Sequence, residues 1–425
     1  MQLFSRNIPT FYGLIWAVLI HILGAAILTL TGNTIIAAAI CVYSLLLYFY
    51  YIVSSDVGWR FLPRSISLPF CLFLFWQIII VLRGLFGGGV EMSFNGYFSY
   101  YAVNYLFILP ILIPFVSLIR FDFRLFSYFK KMAIPLCVVF FLLVLIFFKE
   151  LLLANYSLES SLIDSTSGYK GEQLGIRSLV AILVSIAPIF LFSSKCFMYL
   201  PSKINKCVLV AVFLTLLLAL RAAGRGYIIE ILMHLFILGY LYLANNRGSN
   251  LFIRFWTIFL ISFAIIAFYF MNASSLFLYI TERGLDDSRS LVETGFIKDF
   301  NRDVWDWILG RGLYGTYRTS VNLKGFDNRL WMETGYLYLI LKGGIINLGL
   351  YVWVLFSTFV RGFFKSQNLL CKGAALFVLL QIIMLYPFGL PAFSLNYLLL
   401  WFFIGLLNKS RFRNLSDLQI KKLFT

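Results

Sequence analysis

The sequence predicts an all-α polytopic membrane protein with about twelve transmembrane helices. Of its 425 residues, 61% are hydrophobic and only 12% are charged. In soluble domains, roughly a quarter of the residues are charged. Apolar runs of about 20 residues, long enough to cross a bilayer as a helix, recur along the whole chain. We therefore treat residues 1–425 as one integral membrane domain.

The apolar runs place the predicted transmembrane helices. The first run, Phe11 to Leu30, lacks a small-residue cleavage site, so we interpret it as a membrane span and not as a signal peptide. The predicted helices begin near residues 11, 33, 66, 101, 132, 176, 207, 227, 254, 334, 369 and 392. An even number of spans puts both termini on the same side of the membrane.

Basic residues are distributed unequally between the two sets of loops. The segments on the side of the termini hold twenty Lys and Arg, and the short loops of the other side hold only Arg83, Lys149, Lys170, Arg177, Arg221 and Arg225. Because cytoplasmic loops are enriched in Lys and Arg, we predict that both termini are cytoplasmic. The net charge of +17 then faces anionic membrane lipids, and we expect no nucleic-acid partner.

Histidine and cysteine usage argues against metal chemistry. The chain has two histidines, His21 and His234, and both lie inside apolar runs. The six cysteines lie in or near apolar runs or in predicted cytoplasmic segments. We therefore expect no metal site, no disulfide framework and no cofactor. For His21 we expect a hydrogen bond to a neighbouring helix.

One polar segment, residues 272–331, dominates the extracytoplasmic side. Its mixture of eight basic and eight acidic residues indicates a structured loop. Within it, "DDSRSLVETGFIKDF" predicts a helix with Asp287 or Ser288 as N-cap, and "RDVWDWILGRG" predicts a second, short helix that ends at Gly310. We expect both helices to be amphipathic and to lie on the outer membrane interface. The shorter loop 149–177 is a candidate second outer wall.

The stretch "LALRAAGRGYIIE" places two arginines between apolar runs. As a helix, Cys207–Leu220 spans about 21 Å, less than the roughly 30 Å of the bilayer core, so the helix is expected to continue through Arg221. Arg221 and Arg225 would then lie at the outer headgroup level, with Glu230 one turn deeper. The arginines either snorkel or pair with Glu230, or they form an outer-leaflet pocket for a lipid-linked pyrophosphate. Two arginines flanking glycines favour the pocket.

Further charged and polar residues lie in or next to apolar sequence. Arg289 begins the first loop helix, and Arg311 lies in "LGRGLYGTY". The run "KGFDNRLWMETGYLYLILKGG" then enters a helix and carries several polar side chains: Asp327, Asn328, Arg329, Glu333 and Lys342. Lys342 either lines a cavity or snorkels. Glu230 and His234 are four residues apart on one helix face, and we expect a buried hydrogen-bonded pair that braces the arginine pocket.

About residues 205 to 405 resemble the O-antigen polymerase and ligase superfamily, the Wzy-type and WaaL-type proteins. The resemblance rests on "AGRGYII" at a helix boundary, "DSRSLVETGF" followed by "WDWILGRGLYGTY", and "METGYLYLILKGGIINLGL". The predicted twelve-helix frame, with one large loop before the last three helices, resembles the family too. The resemblance implies a GT-C-like membrane fold in the bacterial inner membrane, with the active site facing the periplasm.

The resemblance also implies metal-independent glycosyl transfer from an undecaprenyl-pyrophosphate-linked glycan to a second lipid-linked repeat unit. Arg225 and Arg289, and then Arg221 and Arg311, are the expected pyrophosphate-binding residues. Glu333 and Asp327 are the candidate proton acceptors, although Glu333 suits an interfacial anchor or an ion pair with Arg329, and Asp327 suits a helix cap. Supporting roles are expected for Glu230, His234, Asn328 and Arg329.

Three functions remain as alternatives. The ligase branch carries a histidine followed by asparagine in its last loop, whereas this chain has Asp327 and Asn328, which favours a polymerase. The polymer would be O-antigen or a related surface polysaccharide. A lipid-linked oligosaccharide flippase would show two related halves, which this sequence lacks. The expected partners are the lipid-linked glycan and membrane lipids, and a chain-length regulator is left open.

Overall fold

The structure is a computed structural model. It describes residues 7–31, 34–55, 62–86, 112–119, 125–146, 183–184, 202–221, 225–245, 288–318, 328–329, 332, 334–386 and 393–424. The predicted helices that begin near residues 101, 176 and 254 lie largely outside these ranges, and so does the loop 149–177. Asp327 and Glu333, the two candidate proton acceptors, also lie outside the described residues.

The N-terminal half contains helices that match the apolar runs of the sequence. They are α1 (Asn7–Thr31), α2 (Thr34–Val53), α3 (Arg64–Phe86), a 3-10 helix (Ile113–Leu118), α4 (Leu125–Ile146), α5 (Ser202–Arg221) and α6 (Arg225–Asn245). Helices α1 and α2 pack along each other. His21 Nδ1 lies 3.0 Å from Ser44 Oγ across this contact, which confirms the predicted interhelical hydrogen bond.

The C-terminal half begins with the loop helices and ends in a helical tail. Its elements are α7 (Ser288–Phe300), α8 (Val304–Leu309), β1 (Tyr317–Arg318), β2 (Asn328–Arg329), α9 (Gly335–Phe364), α10 (Leu369–Met384), α11 (Leu395–Leu407), α12 (Ser410–Arg413) and α13 (Asp417–Phe424). Helices α7 and α8 confirm the two helices predicted in the large loop. Asp303 caps α8 by accepting a hydrogen bond from Trp305 N at 2.9 Å, and Gly310 ends it.

Length and composition identify α2, α3 and α9 as helices that could cross a membrane. Their apolar segments are Ile35–Val53, Ile66–Gly84 and Gly335–Phe364, and α1, α4, α5, α6, α10 and α11 contain shorter apolar segments. Large apolar side chains such as Ile35 and Leu145 are exposed on the outside of the bundle, where lipid chains would cover them. The described residues therefore form an all-α membrane protein.

Helix α11 lies at the centre of the described bundle. Its side chains are buried from Tyr397 to Leu407, as expected for a helix that is hydrophobic on every face. The Trp401 ring lies 5.5 Å from Phe70 and 5.7 Å from Phe73 of α3, measured between ring centroids. On another side, Gly405 approaches the 3-10 helix so closely that an added Cβ would lie 2.5 Å from Ser117 O.

A second, smaller core joins the loop helices to the bundle. Phe296 and Phe300 of α7 stack with 4.1 Å between ring centroids, and both are fully buried. They pack with residues of α3, α9 and the segment after α8, namely Ile80, Leu313, Tyr317, Met332, Tyr338, Ile340 and Leu341. The apolar face of α7 is therefore turned toward the protein, while Val304 and Trp305 of α8 are exposed.

Candidate functional site

Four helix ends meet at one end of the bundle. The start of α9 joins the end of α10 through a 2.7 Å hydrogen bond from Gly335 N to Leu385 O. Helix α6 packs along α10. The first turns of α6 and α11 are joined where Asn396 Nδ2 donates to the Glu230 carboxylate. The starts of α6, α9 and α11 therefore share one region with the end of α10.

Arg221 and Arg225 bound the turn between α5 and α6. Helix α5 ends at Arg221 and α6 begins at Arg225. Helix α5 continues through Arg221, as expected, but it also begins earlier than predicted, at Ser202 and not near residue 207. Its 20 residues span about 30 Å. Arg221 is therefore the last residue of a helix of full length, and both arginines stand at helix ends on the turn side.

Glu230 and His234 share one face of α6, but their side chains do not pair with each other. His234 Nδ1 lies 2.6 Å from the backbone oxygen of Glu230, and the Glu230 carboxylate accepts a hydrogen bond from Asn396. The prediction of a bond between the two side chains is therefore wrong. A side chain four residues further along a helix can also reach the backbone carbonyl, and His234 binds the carbonyl of Glu230 in this way. Glu230 is buried, with 8% exposure, and its bond to Asn396 fastens α6 to α11.

Helix α7 lies beside the start of α9. Arg289 is its second residue, and Glu293 follows one turn later. Thr334 Oγ1 donates a hydrogen bond to the Glu293 carboxylate, and Thr334 is the residue that precedes α9. Residues four apart lie on the same helix face, so Arg289 and Glu293 are placed on one face of α7 at the start of α9.

Arg311 is held by two carboxylates. Its Nη1 lies 2.5 Å from Asp299 Oδ2 and its Nη2 lies 2.6 Å from Asp306 Oδ2. Nε donates to Asp306 at 2.8 Å, and Nη1 also donates to the Thr316 carbonyl at 2.8 Å. The guanidinium lies over the Phe300 ring, 4.6 Å from its centroid. Its hydrogen-bond donors therefore bind the protein's own acceptors, which argues for a role in holding the loop and against direct pyrophosphate binding.

The acid–base properties of this group follow from its geometry. Burial alone would raise the pKa of Asp299, but the hydrogen bonds from Arg311 and from Arg318 N hold that pKa below its ordinary value. Burial alone would lower the pKa of Arg311, but its bonds to Asp306 and Asp299 raise it. Both groups are therefore charged at neutral pH. Arg302 Nη1 also lies 3.5 Å from Asp299 Oδ1, so Asp299 contacts two cations, Arg311 and Arg302.

Helix α9 is interrupted at Gly344. Gly344 has φ 70° and ψ −175° within the helix, a conformation that is essentially restricted to glycine. A break of this kind frees carbonyl groups that would otherwise bond within the helix. The segment after α8 binds two of them, because Arg311 N donates to Leu341 O at 2.8 Å and Gly312 N donates to Lys342 O at 3.0 Å.

Side chains bind two further carbonyl groups near the break. Trp76 Nε1 of α3 donates to Gly343 O at 2.7 Å. Asn347 Nδ2 donates to Leu339 O at 3.2 Å. Gln77 Nε2 donates in turn to Asn347 Oδ1 at 2.5 Å. Four carbonyl groups next to the interruption are therefore hydrogen-bonded, as buried non-helical backbone requires.

Arg83, at the end of α3, binds the end of α8. Its Nη1 donates to Leu309 O at 2.7 Å and its Nη2 donates to Gly310 O at 2.9 Å. Leu313 N donates to Ile80 O at 3.2 Å, one turn before Arg83. Helix α3, the segment after α8 and the break in α9 are thus bonded into one rigid unit, which we call the clasp (residues 76–84, 308–316 and 341–347).

Lys342 is buried in the clasp. It is 4% exposed, its Nζ donates to Gly315 O at 3.1 Å, and its ammonium group lies 5.4 Å from the centroid of the Tyr338 ring. Of the two expectations for Lys342, snorkelling to the surface is therefore wrong. The lysine side chain turns toward the loop segment because that segment supplies a carbonyl acceptor.

The short strands place two of the predicted supporting residues. Asn328 and Arg329 form β2, which pairs antiparallel with Tyr317 and Arg318 of β1. This pairing holds Asn328 and Arg329 against the segment that follows α8. The roles predicted for Asn328 and Arg329 stay predictions.

The sequence interpretation missed several residues of this region. Arg83, Glu293, Thr334 and Asn396 make the contacts described above. Glu293 and Thr334 lie inside the motifs "DSRSLVETGF" and "METGYLYLILKGGIINLGL" but were given no role there, whereas Arg83 and Asn396 lie in neither. Arg83 had a signal, because it is a cation at the end of an apolar run. Within the described residues, no group of three or more His, Cys, Asp or Glu is placed to hold a metal ion.

Comparison with known proteins finds no relative for this chain. No protein-family model matches it, no curated protein matches it, and no solved structure matches it.

Proposed function

We propose that this protein is a glycosyltransferase that polymerises undecaprenyl-pyrophosphate-linked oligosaccharide repeat units of a surface polysaccharide on the outer face of the bacterial inner membrane. The meeting of four helix ends carries the proposal. Arg225 begins α6 and Arg289 is the second residue of α7. A helix N-terminus favours anions through its free N–H groups and its dipole, and arginine binds phosphate through paired donors.

A series of contacts between helices connects these two arginine positions. Helix α6 packs along α10, the residue after α10 binds the start of α9, and Thr334 at that start binds Glu293 of α7. The site we propose lies in this region, between the start of α6 and the face of α7 that carries Arg289. A pyrophosphate that reaches both arginines would be bound at the outer end of the bundle.

The proposed reaction needs no metal ion. A hydroxyl oxygen of the acceptor sugar attacks the anomeric carbon of the donor, and the bond between that carbon and the pyrophosphate oxygen breaks. The acceptor proton passes to a carboxylate, and undecaprenyl pyrophosphate leaves with the electron pair of the broken bond. Arg225 and Arg289 stabilise the negative charge that develops on the leaving oxygen. Arg221 is the next candidate, whereas Arg311 holds the loop in place.

A polymerase is preferred to a ligase and to a flippase. The predicted large loop has no histidine, whereas the ligase branch places one before an asparagine. A flippase would move substrate through two related halves, whereas the loop helices here are bonded to α3 and α9 at one end of the bundle. Such a rigid extramembrane cover suits chemistry at one membrane face.

The test uses purified protein in nanodiscs with an undecaprenyl-pyrophosphate-linked repeat unit as both donor and acceptor. We expect a ladder of products of increasing length on a gel, and a loss of about 100-fold or more in rate for Arg225→Ala. Arg302→Ala is the control. Arg302 lies in the large loop and its side chain is 60% exposed. An ion pair as exposed as the one that it makes with Asp299 contributes little, so this variant should keep the wild-type rate.

Other products would contradict the proposal. Transfer only after lipid A-core is added would identify a ligase. Movement of intact lipid-linked oligosaccharide across the bilayer, with no new glycosidic bond, would identify a flippase.

A further inference from the structure

The segment 288–318 carries four acidic residues, and three of them bind a cation or cap the helix that they precede. Asp299 and Asp306 bind the Arg311 guanidinium. Asp303 caps α8 through Trp305 N. The fourth is Glu293, whose carboxylate accepts a hydrogen bond from the neutral hydroxyl of Thr334. Glu293 therefore differs from the other three: within the described residues, its carboxylate has no cation partner and does not cap the helix to which it belongs.

The position of Glu293 suits a reacting group. It lies one turn after Arg289 on α7, and its carboxylate is bonded at the residue before α9. Its side chain is part-buried, so it is accessible to a substrate and yet held in place. The positive end of the α9 dipole stabilises a negative charge at this point. The Glu293 carboxylate and the position of Arg289 thus lie one helical turn apart, at the end of the bundle where α9 begins.

The support beneath Glu293 is rigid. Val292 and Phe296, its neighbours on α7, are buried in the second core, and Phe296 stacks on Phe300. The Thr334 hydroxyl binds one carboxylate oxygen of Glu293, and the role proposed below uses the other oxygen. A general base must be oriented within hydrogen-bond reach of the proton that it abstracts, and these contacts supply that orientation.

We propose that Glu293 is a catalytic residue, the general base that accepts the proton of the attacking acceptor hydroxyl, an assignment that rests on the glycosyltransferase function proposed above. The new bond joins the acceptor oxygen to the anomeric carbon, and the bond to pyrophosphate breaks. The hydroxyl proton moves to the other oxygen of the Glu293 carboxylate and is later released to solvent. Glu293 therefore replaces Glu333 and Asp327 as the base of the reaction.

The experiment compares variants in the ladder assay. Glu293→Gln keeps the size of the side chain and an acceptor for Thr334 but removes the base, and it should lower kcat by about 100-fold or more with little change in KM. Asp303→Asn is the matched control, because asparagine also caps helices, and it should keep the wild-type rate. Thr334→Val should cause a smaller loss, because it removes only the orienting hydrogen bond.

Chemical rescue separates a base from a structural residue. Glu293→Ala leaves space for a small carboxylate, so added formate should restore part of its rate in proportion to formate concentration, whereas chloride should not. A rate within threefold of wild type for Glu293→Gln, or no rescue of Glu293→Ala by formate, would overturn the assignment while the wild-type ladder still supports the polymerase. If the wild-type protein forms no glycosidic bond, both proposals fall together.

Discussion

At the scale of single residues, Arg311 shows how its surroundings decide the role of an arginine. Two carboxylates, a carbonyl oxygen and an aromatic ring surround its guanidinium. Asp299 is 5% exposed, and a buried carboxylate needs a cation or several hydrogen-bond donors. Arg311 meets that need for Asp299, and so it fastens α7 to the segment after α8.

The depressed pKa of Asp299 makes the fold of this loop sensitive to acid. Because the folded-state pKa lies below its ordinary value of 3.8, the carboxylate contributes stability above that value and loses it as pH falls through the folded pKa. We expect the loop to be protected from proteolysis at neutral pH and to open progressively below about pH 4. Limited proteolysis in nanodiscs, followed by mass spectrometry, measures this opening.

The variant Asp299→Asn checks the cause. It should be less stable at pH 7 by about 2 kcal/mol, because it loses charge-assisted hydrogen bonds, and its stability should vary less with pH in the acid range. An unchanged pH profile would assign the acid response to another group.

At the scale of elements, the interruption of α9 is the feature on which the loop depends. The break at Gly344 exposes carbonyl groups, and the segment after α8 binds them through Arg311 N and Gly312 N. Gly310 lies against the break, where an added Cβ would be 2.5 Å from Gly344 N. An unbroken α9 would satisfy its own carbonyl groups, and the segment after α8 would have no binding surface there.

A glycine substitution tests this dependence. Gly344→Ala forces a side chain into a positive-φ conformation and into collision with the Ile308 carbonyl, so it should destabilise the protein by about 3 kcal/mol or more. Gly349→Ala is the control, because Gly349 lies in the same helix and has no atom within 4 Å of an added Cβ. It should be neutral or stabilising by up to about 1 kcal/mol. Thermal unfolding in detergent measures both, and equal effects would contradict the role of the break.

At the scale of the whole molecule, the two ends of the C-terminal bundle differ in charge. One end holds the starts of α9 and α11 and the end of α10, and the other holds the ends of α9 and α11 with α12 and α13. The second end carries a series of basic residues, which are Arg361, Lys365, Lys372, Lys409, Arg411, Arg413 and Lys422. On the positive-inside rule, we propose that this end faces the cytoplasm and that the proposed site faces outward.

Cysteine labelling tests this orientation. Trp305 of α8 and Leu418 of α13 are both exposed, at 64% and 73%, and they belong to opposite ends. In a variant without native cysteines, Trp305→Cys should react with a membrane-impermeant maleimide in intact spheroplasts. Leu418→Cys should react only after the membrane is permeabilised. The reverse pattern would place the proposed site in the cytoplasm.

Much of the helical framework was predictable from the sequence, because each apolar run has a composition that suits only a buried or lipid-facing helix. The starts predicted near 33, 66, 227, 334 and 369 agree with helices that begin at residues 34, 64, 225, 335 and 369. The prediction near 132 was less accurate, since α4 begins at Leu125. Polar residues such as Lys130 favoured a loop before residue 132, but α4 includes them. A helix can continue through polar residues when one of its faces stays apolar.

The candidate site was predictable only in part, for a physical reason. Composition and periodicity show which segments are apolar enough to be buried or lipid-facing helices, so the sequence was sufficient to predict most helices of the described residues, the end of α8 at Gly310 and the position of Arg289 at a helix start. It placed Arg225 in a turn before a helix from residue 227, whereas α6 begins at Arg225. Which side chains meet depends on contacts between residues far apart in the chain. Glu293 with Thr334, Glu230 with Asn396 and Arg83 with the end of α8 were therefore decided by the tertiary structure alone.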